Sequence, residues 1–442
     1  MNAEVATIKT AAETALAQAF SEARGRLPGD DAIVARRDAA FDVFAKAGLP
    51  HRRVEEWKYT DLRVLMRDLK PLAAPPDAGA KARAKGAGAL LGDVETRRLV
   101  FVDGAFVPEL SDIANLEPGL SVGSLAAALT AGDPQLATHL GKLAPLSDVA
   151  VALNTALMGD GAVIRIAAGA TIERPLHLVF VASEKPAATF TRSLVVAEPE
   201  ARAMVIESHE GPAGSDYQVN AALELFVGDR AHVDHVKIID EGSGALHVST
   251  LAAAIGGKAR FNAFTFTLGG AVVRNQLFLK FDGEDTVAGI RGATLLNGRQ
   301  HADTTLVADH VAQRCQSREL FKSVLDGEAH GVFQGRIIVR PHAQKTDAKM
   351  MTRALLLSER AEADNKPELE IFADDVQCGH GATAGALDDA LKFYLMARGI
   401  PRPEAEALLI RAFLGEAIEG IEHAGLREAL MDAVAAWLRG RA

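Results

Sequence analysis

From Arg97 onward, apolar and polar positions alternate with a period of two. Short β-branched or aromatic runs such as LVFVDGAF, LHLVFVA, HVDHVKII, FNAFTFTL and QLFLKF follow one another, separated by turn residues. Before that point the pattern is helical: residues 3–24 are rich in Ala, Glu and Leu, with Gly25 and Pro28 as a stop, and a second helix is predicted from Asp31 to Lys46. The helical period returns after Ala386, where Leu387, Leu391, Tyr394 and Leu395 form one stripe. Two further helices are expected over Glu404–Ile418 and Ile421–Leu438.

Several strand runs share a local grammar in which a glycine and polar residues precede the next strand, at Gly228, Gly257, Gly283 and Gly327. The first two intervals are close to one solenoid coil, and the larger third interval must hold an insertion or another coil. Near-periodic strands without helical spacers predict a β-solenoid, with a sandwich as the alternative. Its ends would expose strand edges that must be covered or paired with another chain, and the terminal helices could cap them. The expected division is 1–92 as an N-terminal helical domain and linker, 93–385 as the solenoid core, and 386–442 as a C-terminal helical domain. Between the first two, Pro71–Gly92 is a linker of Ala, Gly, Pro and Lys, and Trp57 and Tyr59 in EEWKYTDL read as an aromatic clamp on a neighbouring layer.

A chain of 442 residues with 48% hydrophobic and 24% charged residues can bury a substantial core, which excludes a wholly disordered protein. The 58 acidic against 48 basic residues leave a formal charge of −10, which speaks against nucleic acid. No apolar run is long enough to span a bilayer, the first twenty residues do not resemble a secretion signal, and two cysteines form no disulfide framework. A cytoplasmic, membrane-free location is expected.

The chain contains no phosphate loop, no His-Glu-x-x-His, no Cys-x-x-Cys and no Gly-x-Ser-x-Gly. One segment carries candidate chemistry: Leu369–Gly385, LEIFADDVQCGHGATAG. Strand alternation puts Val376, Cys378 and His380 on one face, so a thiol and an imidazole project together. These suit iron, zinc or copper, and two ligands from one chain form half a site that a second chain would complete. A small buried thiol and a hydrogen-bonded histidine are the plain alternative. His232 and His235 fall on opposite faces of their strand, which argues against a shared metal, and Cys315 reads as structural.

KTDA at Lys345–Ala348, LLLSERAEADNKPELEIFADDVQCGHGATAG at Leu355–Gly385, FYLMARGI at Phe393–Ile400 and LIRAFLGEAIE at Leu409–Glu419 closely resemble the SufD family, subunits of the Suf iron-sulfur cluster assembly complex. EEWKYTDL at Glu55–Leu62 resembles the amino-terminal motif of that family. The resemblance implies a right-handed parallel β-helix flanked by helical domains, and a non-catalytic scaffold rather than an enzyme. It implies pairing with a SufB-like paralogue through the β-helix and with a SufC-like ABC ATPase through the C-terminal helices, with no ATP site in this chain. SufB itself would carry a further cysteine ahead of this point, and none lies between Cys315 and Cys378. By position, His380 matches the family histidine at the interface, where a transient iron-sulfur cluster forms, and Cys378 matches a nearby family cysteine. Arg411, Phe413 and Glu416 are the candidates for ATPase contact, with packing inside the domain as their alternative. A homodimer of isolated chains and a flavin remain open, as does the rival reading of a solenoid metalloenzyme or carbohydrate-active enzyme.

Overall fold

The computed structural model describes residues 9–441. The helix expected over 3–24 is present as Ala11–Ala23, and its first predicted residues, 3–8, lie outside the described residues together with the start of the region read for a secretion signal. The strand runs wind into a parallel β-solenoid of about eight turns. One sheet has ten strands and the other nine, and from Ala162–Ile166 onward successive strands go to alternate sheets. Among the described residues, no helix is long and apolar enough to cross a membrane.

Neighbouring coils stack in register. Leu223, Leu251, Leu277 and Leu306 lie one above another in the nine-stranded sheet, as do Val227, Ile255, Phe281, His310 and Val339. Alternation turns these rows inward, where they meet Val205, Val233, Phe261 and Ile290 of the other sheet in one continuous aliphatic and aromatic core.

The coils turn at a corner that a glycine, Gly169, occupies in the first coil and other residues occupy in the later ones. Glu200, Arg230, Lys258, Asp285, Arg314 and Lys345 all have positive φ and recur about every 30 residues. A side chain in this left-handed conformation is costly, and each corner is compensated in the same way. The corner N–H donates to a carbonyl of the next coil: Glu200 to Asp229 at 2.8 Å, Arg230 to Gly257 at 2.8 Å, Lys258 to Glu284 at 2.7 Å, Asp285 to Gln313 at 3.1 Å, Arg314 to Gln344 at 2.9 Å and Lys345 to Asp375 at 2.6 Å. Gly228, Gly257 and Gly283 precede this corner. Gly327, with φ 68°, belongs to the opposite corner, between the strands Gln316–Leu325 and His330–Val339. The long interval from 283 to 327 therefore contains a complete corner at Arg314 that lacks a glycine.

Helices Leu125–Thr130, Pro134–His139 and Val149–Leu157 interrupt the first strands, which the period-two pattern did not anticipate. Val149–Leu157 joins Ala11–Ala23 and Asp31–Ala47 in a helical layer on the flank of the nine-stranded sheet. Trp57 clamps this layer, as its type and setting suggested. It is buried, donates from Nε1 to Asp148 at 3.1 Å, and lies under the Arg274 guanidinium at 4.4 Å. Arg274 in turn pairs with buried Asp303, which also accepts from Thr60 at 2.5 Å.

The C-terminal helices do not cap the solenoid end. Arg402–Ile418 and Ala424–Arg439 lie on the flank of the ten-stranded sheet, burying Ile410, Leu414, Leu426, Leu430 and Val434 against Ile238, Phe264, Phe266 and Val324. The first, Asp389–Met396, has no buried residue. Trp57→Ala should destabilise the chain by roughly 3–5 kcal/mol through lost buried area. Urea titration checks the magnitude, and proteolysis near residues 50–70 should report release of the N-terminal layer.

Candidate functional site

The last strand, Gln377–Gly385, pairs in parallel with Asp347–Leu356, aligning Cys378 with Ala348 and His380 with Met350. Ala348 and Met350 are buried in the solenoid interior. The register therefore sets Cys378 and His380 on the same face, over the interior rows of the last coil. No described strand stacks beyond it, and the partner sheet likewise ends at Glu362–Ile371. That second edge contains Pro367, which lacks an N–H, whereas Gln377–Gly385 has no proline along its length.

His380 is exposed, and Cys378 is half-buried against the core. Burial pushes the Cys378 thiol above its ordinary pKa, the Ala348 backbone opposes this, and the Asp347 and Glu319 carboxylates reinforce it. The isolated chain thus holds a protonated thiol at neutral pH, which becomes a good metal ligand only on losing that proton. Among the described residues, no cluster of three potential ligands within 4.8 Å includes either residue. Exposed Ile371 and Phe372 lie at the same end, so an apolar rim accompanies two soft or borderline ligands.

Glu319 sits behind this face and was not singled out from sequence. Its strand, Gln316–Leu325, places it on the same side as core residue Phe321, and that alternation was the available signal. Its two carboxylate oxygens are buried without hydrogen-bond partners, and burial raises its pKa from 4.5 to about 7. Cys315, read as structural, is fully buried with Sγ 3.3 Å from the Gly283 carbonyl.

The three residues named for ATPase contact separate. Phe413 and Glu416 face the protein's own sheet, where the Lys322 ammonium donates to the Phe413 carbonyl at 2.7 Å and to the Glu416 carboxylate. The same ammonium lies 4.4 Å from the Phe413 ring centre. Lys322 lowers the Glu416 pKa, so this pair fastens the helix to the solenoid. Arg411 is exposed. Asp389–Met396 carries uncovered apolar side chains: Phe393 is 74% exposed, and Leu391 and Tyr394 are half-exposed.

A parallel β-solenoid flanked by helical layers and ending in a bare strand that presents Cys378 and His380 on one face defines the class of this protein. Residues 179–413 match the family model of the SUF system FeS cluster assembly SufBD core domain, and residues 10–178 match that of the SufBD protein N-terminal region. The chain belongs to the SufBD family of iron-sulfur cluster assembly proteins. It is 34% identical over 417 residues to an iron-sulfur cluster assembly SufBD family protein of Synechocystis, covering 92% of this chain and 91% of the relative. It is 31% identical over 402 residues to the iron-sulfur cluster assembly protein SufD of Escherichia coli, covering 90% and 91% of the two chains. The match to SufD of Bacillus subtilis is 29% over 287 residues, covering 64% and 65%.

Glu319 gives a pH prediction with a defined sign. Its folded pKa is above the ordinary value, so its favourable contribution is complete below about pH 4.5 and is lost as pH rises through about 7. Glu319→Gln should remove that slope and stabilise the chain above about pH 8 by up to about 3 kcal/mol. Denaturant unfolding of both proteins across this range measures the difference.

Proposed function

We propose that this chain is a non-catalytic scaffold subunit of a cytoplasmic iron-sulfur cluster assembly complex. The open end of its solenoid pairs with a SufB-like paralogue, and a nascent cluster forms between the two with His380 as a ligand from this side. The observation that carries this reading is an exposed imidazole on a terminal strand whose face is left bare and whose ligand set is incomplete. Cys378 is the second candidate ligand. Its raised pKa keeps the thiol protonated until iron or a change of surroundings takes the proton. In the absence of the paralogue, the same bare end lets two copies of this chain pair.

A chain without a phosphate loop needs an outside source of ATP-driven motion. A SufC-like ATPase docks on the uncovered face of Asp389–Met396, with Arg411 extending that surface, while Phe413 and Glu416 support it from behind through Lys322. Two ATPase subunits approaching each other on binding ATP would turn the paired solenoids against one another and open the interface at His380.

In the complete complex, His380→Ala should leave the subunits associated and lower iron and acid-labile sulfide by about tenfold or more. Normal cluster content in that variant overturns the ligand role. Phe393→Asp should abolish co-purification of the ATPase while the paralogue still binds. Unchanged ATPase retention would show that docking lies elsewhere.

A further inference from the structure

Several coils before the terminal strand, a cluster of two imidazoles and a carboxylate lies inside the solenoid at one of its corners. His209 is the penultimate residue of the strand Arg202–Glu210, Glu241 follows the strand His232–Asp240, and His247 is the second residue of the strand Leu246–Ile255. The alternation that buries Val205 and Val233 also points His209 inward. One ligand atom from each of His209, Glu241 and His247 lies within 4.8 Å of the other two. All three residues are more than nine-tenths buried.

Their polar atoms lack partners. His209 Nε2, both ring nitrogens of His247 and Glu241 Oε2 are buried without hydrogen bonds. His247 Nδ1 is 3.2 Å from Glu241 Oε1 without hydrogen-bond alignment, and the two imidazoles meet edge to face at 4.8 Å. Adjacent groups do not resolve this. Glu207 is engaged by His235 at 2.8 Å and lies 4.0 Å from His209. Lys237 is the buried ammonium that faces both Glu207 and Glu241. Buried nitrogen and oxygen atoms left without partners in one cluster call for a ligand that engages them together.

We propose that His209, Glu241 and His247 form a binding site for a first-row divalent cation such as Zn2+ or Fe2+, distinct from the terminal face at His380. Two imidazoles and a carboxylate suit these ions, and a modest side-chain rotation draws the donors to bonding distance of about 2.0–2.2 Å. A cleft of about 740 Å³ lies beside the corner and is lined by His209, Glu210, Asp240 and Asp432.

The test uses the full-length chain in a Cys378→Ser, His380→Ala background, so that the terminal face contributes no binding. After chelation, titration with Zn2+ by calorimetry should give one equivalent per chain, and His247→Gln or Glu241→Gln should weaken it by about 100-fold. Loading with Co2+ should give visible bands of a four- or five-coordinate nitrogen and oxygen site. Absence of saturable binding, or binding unchanged by either interior substitution, overturns the proposal. If those variants fail to fold by circular dichroism, the Co2+ spectrum of the folded background chain decides. A six-coordinate, water-like spectrum then overturns the site.

Discussion

Each coil is held to the next by a hydrogen bond at its corner, donated from a residue that has accepted an unfavourable backbone conformation to make it. The pairing of Arg230 with Gly257, repeated up to Lys345 with Asp375, fixes the rotation of one coil on another. Once that rotation is set, the inward rows fall into line, and so do the burial of Leu223, Leu251, Leu277 and Leu306 and the facing of every side chain beyond them. The last corner in the series donates to Asp375, three residues before Cys378. The geometry of the terminal face is therefore inherited from the stack beneath it.

This dependence explains what could be read from residues alone. Alternation within one strand is local, so the shared side of Cys378 and His380 was legible, and so was the separation of His232 from His235. The corner at Arg314 was not legible as a corner, because it uses Gln313, Arg314 and Cys315 where those at Arg230, Lys258 and Asp285 are preceded by glycine. Helices at 125–157 were hidden among apolar runs too short to show a period. Glu319 could be placed on a core face by alternation, but its lack of partners depends on which residues of adjacent coils surround it. The grouping of His209, Glu241 and His247 likewise arises only when distant stretches of chain stack, and no spacing rule reports it.

The C-terminal helices divide two physical tasks that their sequence pattern did not separate. Amphipathic spacing identifies an apolar stripe but not what covers it. Arg402–Ile418 and Ala424–Arg439 spend theirs on the protein's own sheet, with the Lys322 ammonium fixed by Phe413 and Glu416. Asp389–Met396 keeps Phe393 and its neighbours outside the core. A rigidly anchored pair of helices thereby holds out a third, so that force applied to the exposed one passes into the solenoid wall.

The corner series also makes the length of this molecule a discrete quantity. Inserting a few residues into a strand would shift every rung above it and turn buried side chains toward water, whereas gaining or losing an entire turn of about 30 residues would rejoin donor to carbonyl across the gap. The height of the stack beneath the imidazole of His380 can thus drift among descendants of this chain only in whole steps, with the terminal chemistry carried along unchanged.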